Sequence, residues 1–174
     1  MNKRELCLKI YCEAFGEDEP DFASLLFDSC FEQCVLCEAE NEIASMFFAL
    51  ECEIVTRTKT IPAIYIFAAA TNKKFRSKGF MTRLLEEYKG TVSDNTVIFL
   101  RPANEGLINF YRNCGFKEIT GINDNSSLPL VKPLGSFAKL TENILNGDGK
   151  EFTLMYYSKT QKITEDLHFI YSME

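Results

Sequence analysis

Long apolar runs are missing from this 174-residue sequence, and no stretch approaches the length that a membrane-spanning helix needs. The N-terminus is broken by Arg4, Glu5 and Lys9 and offers no signal-like apolar segment, so a cytoplasmic chain without a membrane partner is expected. Neither repeats nor low-complexity tracts occur, and residues 1–174 read as a single domain able to bury a substantial core. Histidine is nearly absent. The lone His168 lies in the C-terminal stretch, far from any cysteine, and reads as structural or exposed. An excess of positive charge is also lacking. The net charge of −6 argues against a nucleic-acid partner, and fits cationic and neutral small substrates equally well.

What a zinc site would require is missing too. Seven cysteines are present, and Cys34-Val-Leu-Cys37 forms a CxxC with Cys30 just before it. No second pair follows; only Cys52 is near. In a strand, residues three apart face opposite sides, so Cys34 and Cys37 do not chelate one ion. Reduced structural thiols and no metal are expected.

The residues that are there alternate in period. Leu6, Ile10, Tyr11, Ala14 and Phe15 recur at helical spacing and Gly16 closes them; residues 22–31 suit a second short helix. Residues 34–40 and 43–53 read as strands joined by a tight turn at Asn41. Residues 61–70 are too apolar for a half-exposed strand and belong at the centre of a sheet. From Gly79 the period changes: Phe80, Leu84 and Tyr88 repeat at i and i+4, and Gly90 is expected to end that helix. A strand at 96–101, a helix capped by Asn104 and stopped by Gly115, and a short strand at 116–120 follow. Such a succession describes a mixed α/β layer with crossover helices. Beyond Gly121, a loop holding Pro129, Pro133 and Gly135 precedes a helix near 137–145. Residues 146–149 form a turn, and 151–157 and 166–171 read as antiparallel strands.

The densest signal is residues 71–83, Thr-Asn-Lys-Lys-Phe-Arg-Ser-Lys-Gly-Phe-Met-Thr-Arg, where a strand empties into a basic, glycine-containing turn that opens a helix. Unpaired N–H groups and the positive end of the helix dipole then meet at one point, a cradle suited to a diphosphate. The rival reading is a surface turn with solvated lysines and a helix-start glycine.

Arg76-Ser77-Lys78-Gly79-Phe80-Met81 resembles motif A of the GNAT N-acetyltransferase superfamily, Arg/Gln-x-x-Gly-x-Gly/Ala at a strand–helix junction. Residues 104–116, from Asn104 through Tyr111 to Gly115 and Phe116, resemble its motif B, Asn-x(6)-Tyr-x(3)-Gly-Phe. The resemblance spans residues 43–120, with motif A in 61–90 and motif B in 96–120. It implies an α/β (α+β) fold with a mostly antiparallel central sheet, splayed central strands and flanking helices. It also implies acetyl-CoA as co-substrate and direct transfer of an acetyl group to a primary amine in a ternary complex.

The residues implied for the donor are Ala69, Ala70 and Thr71 for the pantetheine arm, with Arg76, Ser77, Lys78, Gly79, Phe80, Met81 and Thr82 around the pyrophosphate. One amide near Ala69 is implied to polarise the thioester carbonyl. The alanines equally suit ordinary packing under a helix. Asn104 reads both as a helix cap and as a donor contact. Tyr111 is the candidate general acid for the departing thiolate, against the alternative of a helix-face filler. Cys114 reads as packing. The sequence departs from the pattern at Met81, where the family carries a small residue, and at Ser77, where glycine is frequent. Glu51 and Glu53 are base candidates by position only. The acceptor stays open among small-molecule amine, peptide N-terminus and protein lysine, and residues 121–174 read as lid, acceptor pocket or homodimer contact. Two other classes remain: a non-catalytic acyl-CoA-binding or sensor module, and an interaction domain using Lys73, Lys74, Arg76 and Lys78 as a basic patch.

Overall fold

A computed structural model describes residues 2–16, 20–55, 59–119, 130–138, 140 and 153–160. The chain divides into two compact units, one of Met1–Ala49 with Ile66–Val92, the other of Leu50–Tyr65 with Ser93–Glu174.

In the first unit, α1 (Lys3–Phe15) starts with a reciprocal cap. The Asn2 side chain accepts the Glu5 N–H and the Glu5 carboxylate accepts the Asn2 N–H, satisfying two otherwise unpaired donors. The helix ends at Gly16, whose φ of +89° suits a residue without a Cβ. Helix α2 (Pro20–Cys30) buries Ala23, Leu26, Phe27 and Cys30, and Phe27 meets Phe48 edge-on with ring centroids 5.1 Å apart. Strands β1 (Cys34–Ala39) and β2 (Glu42–Val55) pair antiparallel around Glu40 and Asn41. Both turn residues have positive φ, +52° and +61°, the geometry of a two-residue hairpin that matches strand twist. The register slips between Cys37, opposite Ser45, and Glu38, opposite Ile43, so Ala44 is bulged out. The far half of β3 (Thr60–Thr71) and helix α3 (Phe80–Thr91) complete the unit.

In the second unit, β4 (Val97–Leu100) runs parallel to β3 through Ala63↔Val97, Ile64↔Ile98 and Tyr65↔Phe99. Helix α4 (Glu105–Asn113), β5 (Lys117–Ile119), β6 (Leu130–Pro133), the single-turn α5 (Gly135–Ala138) and β7 (Leu154–Tyr157) follow. Strand β7 is antiparallel to both β4 and β5, and β6 is antiparallel to the end of β2. Tyr65, Phe99 and Phe137 stack in this unit's core.

Hydrogen bonds order the strands β1-β2-β3-β4-β7-β5, with β6 also on β2. The fold is mixed α/β, among the described residues a seven-stranded, mostly antiparallel sheet flanked by helices, and β3 is central as its apolarity predicts. Three local expectations need correction. Gly90 does not end α3; the helix continues to Thr91, where the Thr91 hydroxyl donates to the Tyr88 carbonyl. The loop expected around Pro133 is strand β6, with Pro133 at its last position opposite Cys52. Strand 151–157 is the shorter β7, and its partners among the described residues are β4 and β5. The turn at 146–149 and the strand at 166–171 lie outside the described residues, as does most of the helix expected at 137–145. No helix of the described residues is long and apolar enough to cross a membrane.

Candidate functional site

The turn between β3 and α3 is built on one buried ring. Phe75 is 1% exposed and meets Phe80, the first residue of α3, edge-on at 5.3 Å. Above it the chain goes through Ser77 at φ +60° and Gly79 at φ +79°, two left-handed residues within three. Ser77 thus occupies a conformation that glycine adopts freely and serine at some cost. A Cβ on Gly79 would meet no atom within 4 Å, so this corner is open space. Gly79 is the N-cap of α3 and has no side chain with which to cap it. The first hydrogen bond of the helix runs from Arg83 N–H to Gly79 O at 3.0 Å, which leaves the N–H groups of Phe80, Met81 and Thr82 ahead of it. Uncapped donors, an open corner and the positive helix end suit an anion, and the residues present fit a diphosphate.

The side chains expected there divide into two sorts. Lys78 is exposed, with its ammonium 5.6 Å from the centre of the Phe75 ring. Arg76 is exposed too, but its Nε donates to the Thr71 carbonyl at 3.1 Å, bracing the turn. Lys74 is occupied by Glu42 at 2.6 Å and Glu40 at 2.9 Å. Those carboxylates hold its ammonium above the usual lysine range, and Lys74 in turn holds Glu40 below the usual carboxylate range. A basic patch of Lys73, Lys74, Arg76 and Lys78 therefore loses one member to local pairing.

Sequence reasoning missed what roots this turn. Asn72 donates its N–H to the Ala44 carbonyl at 3.0 Å and its side-chain amide to the Ile43 carbonyl at 3.4 Å. Its side-chain oxygen caps the 3-10 turn Lys73–Phe75 through the Lys74 N–H at 3.1 Å. Beside it the hydroxyls of Thr71 and buried Ser45 lie 2.9 Å apart. An asparagine followed by a turn is a readable local signal; its grip on a distant strand is not.

Strand β3 also holds a surprise for period-two reading. Its buried positions are Ile61, Ala63 and Tyr65, then Ile66, Ala68 and Ala70, so the alternation changes phase between 65 and 66. Ala68 has φ +52°, a left-handed residue inside a strand and the mark of a local irregularity. The ladder to β4 stops at Tyr65, whereas β3 continues to Thr71. Ala69 and Thr71 are half-buried and Ala70 is buried.

Tyr111, on α4, is 6% exposed and its ring meets Phe110 at 5.1 Å and Phe116 at 5.7 Å. Burial pushes its phenol well above the usual range, with the Cys114 thiol and Tyr65 phenol adding to the effect. The group is a protonated donor throughout the neutral range. The Asn104 side chain accepts the Leu107 N–H at 3.0 Å, the cap the sequence predicts. Cys114 is buried at the end of α4. Glu51 is exposed, and Glu53 faces Lys132 at 3.7 Å across the β2–β6 pair. His168 lies outside the described residues. Among the described residues no three metal-ligating side chains gather. Cys7 and Cys34 share a hydrogen bond that lowers the first thiol and raises the second.

Comparison with known families matches residues 2–119 to the acetyltransferase (GNAT) domain. The chain belongs to the GNAT acetyltransferase family. No curated protein sequence matches it significantly. Among solved structures, a conserved protein of unknown function from Enterococcus faecalis is similar at 15% identity and TM-score 0.59, covering 90% of this chain and 50% of that one. The chain thus spans about half the length of that relative. An aminoglycoside 6'-N-acetyltransferase complexed with coenzyme A is similar at 12% identity and TM-score 0.61, covering 91% and 92%. An acetyltransferase related to histone acetyltransferase HPA2, from Corynebacterium glutamicum, is similar at 16% identity and TM-score 0.57, covering 94% and 96%. At these identities the likeness is one of fold.

Proposed function

We propose that the chain is an acetyl-CoA-dependent N-acetyltransferase acting as one domain, which passes the acetyl group directly to a primary amine. The single observation that supports this most is the corner at Gly79, open and lined by the uncapped N–H groups of α3. In this reading the amides of residues 77–82 bind the donor's pyrophosphate, and Arg76 and Lys78 add positive charge. The backbone of Ala69, Ala70 and Thr71 pairs with the pantetheine arm, as a strand edge pairs with an extended peptide. Support for that second role comes from β3 running on past the end of its ladder with β4.

The chemistry balances without a covalent enzyme intermediate. The neutral amine nitrogen attacks the thioester carbonyl, an amide N–H near Ala69 holds the developing oxyanion, and collapse breaks the C–S bond. Tyr111 gives its phenolic proton to the departing thiolate. The attacking nitrogen loses a proton to solvent, and that proton restores the phenol. Asn104 keeps its capping role, with a donor contact as a second one.

The test combines a thermal-shift screen of acyl-CoAs with a thiol-release assay over pooled small amines, peptides and lysine-containing proteins. Stabilisation by acetyl-CoA together with amine-dependent thiol release is the expected result. Stabilisation without release for any amine leaves a binding module instead, and neither signal removes the reading altogether.

A further inference from the structure

We propose that Asn72 is a positioning residue for donor binding, locking the diphosphate cradle onto the bulge of β2 so that the cradle's N–H groups are held in place before the donor arrives. The inference rests on the reading above and concerns how the same corner is tuned.

Asn72 uses all of its polar groups within one small region. Its backbone N–H and side-chain amide reach Ala44 and Ile43 on β2; its side-chain oxygen and backbone carbonyl accept from Lys74 and Phe75 in the turn, at 3.1 and 2.8 Å. A second, independent observation lies on the other strand. Ala44 is the very residue skipped in the β1–β2 register, and its carbonyl receives the Asn72 N–H. Strand β2 is hydrogen-bonded to β3, and this bond carries that pairing one residue past Thr71 at the level of the bulge. On either side, Ser45 meets the Thr71 hydroxyl and Arg76 Nε meets the Thr71 carbonyl, so the residue before Asn72 is braced as well.

Only asparagine serves here. The position needs a donor and an acceptor on one short side chain, aimed in opposite directions. Aspartate keeps the acceptor for Lys74 but sets a carboxylate oxygen against the Ile43 carbonyl. Serine lacks the reach for both. From this root, the chain passes over buried Phe75 to the left-handed pair Ser77 and Gly79. Releasing the root lets that pair relax and spreads the N–H groups over many directions, so the anion must pay to gather them. In this reading the acyl end lies at Ala69, within strand β3 before the root, and does not feel this loss.

The experiment compares wild type with Asn72→Ser, which loses the two side-chain bonds without adding a charge beside the diphosphate, on two donors, acetyl-CoA and S-acetylpantetheine, the second having no diphosphate. The expected result is a fall of about 10-fold in kcat/KM for acetyl-CoA, carried by KM, with a matching rise in the calorimetric Kd for coenzyme A. Turnover of S-acetylpantetheine stays at the wild-type value. Equal losses on both donors reduce Asn72 to a purely structural part, and no loss on either overturns the proposal as well. If Asn72→Ser does not accumulate as folded protein, Asn72→Gln, which carries the same amide on a longer arm, is judged by the same ratio of donors. A wild-type chain that neither binds coenzyme A nor uses either donor fails at the earlier step and takes this inference with it.

Discussion

At the scale of single residues, Tyr111 and the turn glycine make opposite demands. Tyr111 is held protonated by burial, which keeps the proton that the proposed reaction asks of it and also makes it a weaker acid. Tyr111→Phe keeps the ring contacts with Phe110 and Phe116 and removes that proton. A fall in turnover of about 10²-fold or more is expected in the thiol-release assay, with acetyl-CoA binding unchanged by calorimetry. A kcat that survives the change leaves Tyr111 as core filling. Because the phenol lies above its ordinary range, no limb of the pH–rate profile below about pH 10 belongs to it. At the cradle, Gly79→Ala meets no atoms but forces a Cβ into a left-handed backbone, at a cost of about 1–2 kcal/mol. Ser77→Gly relieves the same kind of strain two residues earlier. In urea unfolding the first variant should be the less stable and the second at least as stable as wild type.

Among the elements, α4 offers the cleanest separation of two roles for one side chain. Asn104→Ala removes the acceptor of the Leu107 N–H and is expected to lower stability by about 1 kcal/mol in thermal unfolding, while Asn104→Asp keeps the cap. Should acetyl-CoA affinity fall in Asn104→Asp at unchanged stability, the residue also touches the donor. How legible the elements were depends on how local their causes are. The end of α1 at Gly16, the tight turn at Asn41, the cap at Asn104 and the stop at Gly115 are written in neighbouring residues, and each was read; the reciprocal Asn2–Glu5 cap that starts α1 is equally local and was missed. The run past Gly90 could not be read, since glycine's helix penalty of about 1 kcal/mol is outweighed by burial of Leu84 and Leu85 and by the contact of Tyr88 with Phe47. Nor could β6, because a proline argues against a strand unless the strand has a free side, and pairing to β2 is a tertiary fact. The cradle motif was visible residue by residue; the anchorage was not, for Asn72 finds its partners on β2 and Ser45, on β2, finds Thr71 at the end of β3, far away in sequence.

At the scale of the whole molecule, alkali should find the buried ionisable groups. Burial pushes the Cys52 thiol up to about 12 and the Tyr111 phenol further. The unfolded chain ionises such groups near about 8.5 and 10, so it releases protons first as pH rises. Their stabilising contribution is intact below about pH 8 and is lost progressively on the way to pH 12; urea midpoints at pH 7, 9 and 10.5 should fall in that order. Net charge makes a separate forecast. With −6 overall and Lys74 already paired to Glu40 and Glu42, oligonucleotides should not bind at physiological salt in fluorescence anisotropy. The broken alternation of β3 reaches further than either. Because the strand changes sides between Tyr65 and Ile66, substitutions at Ala63 and Ala70, on either side of the switch, are expected to add independently in urea unfolding. Such a strand is modular: the end that leads to the turn and the end that holds the ladder can be altered one at a time.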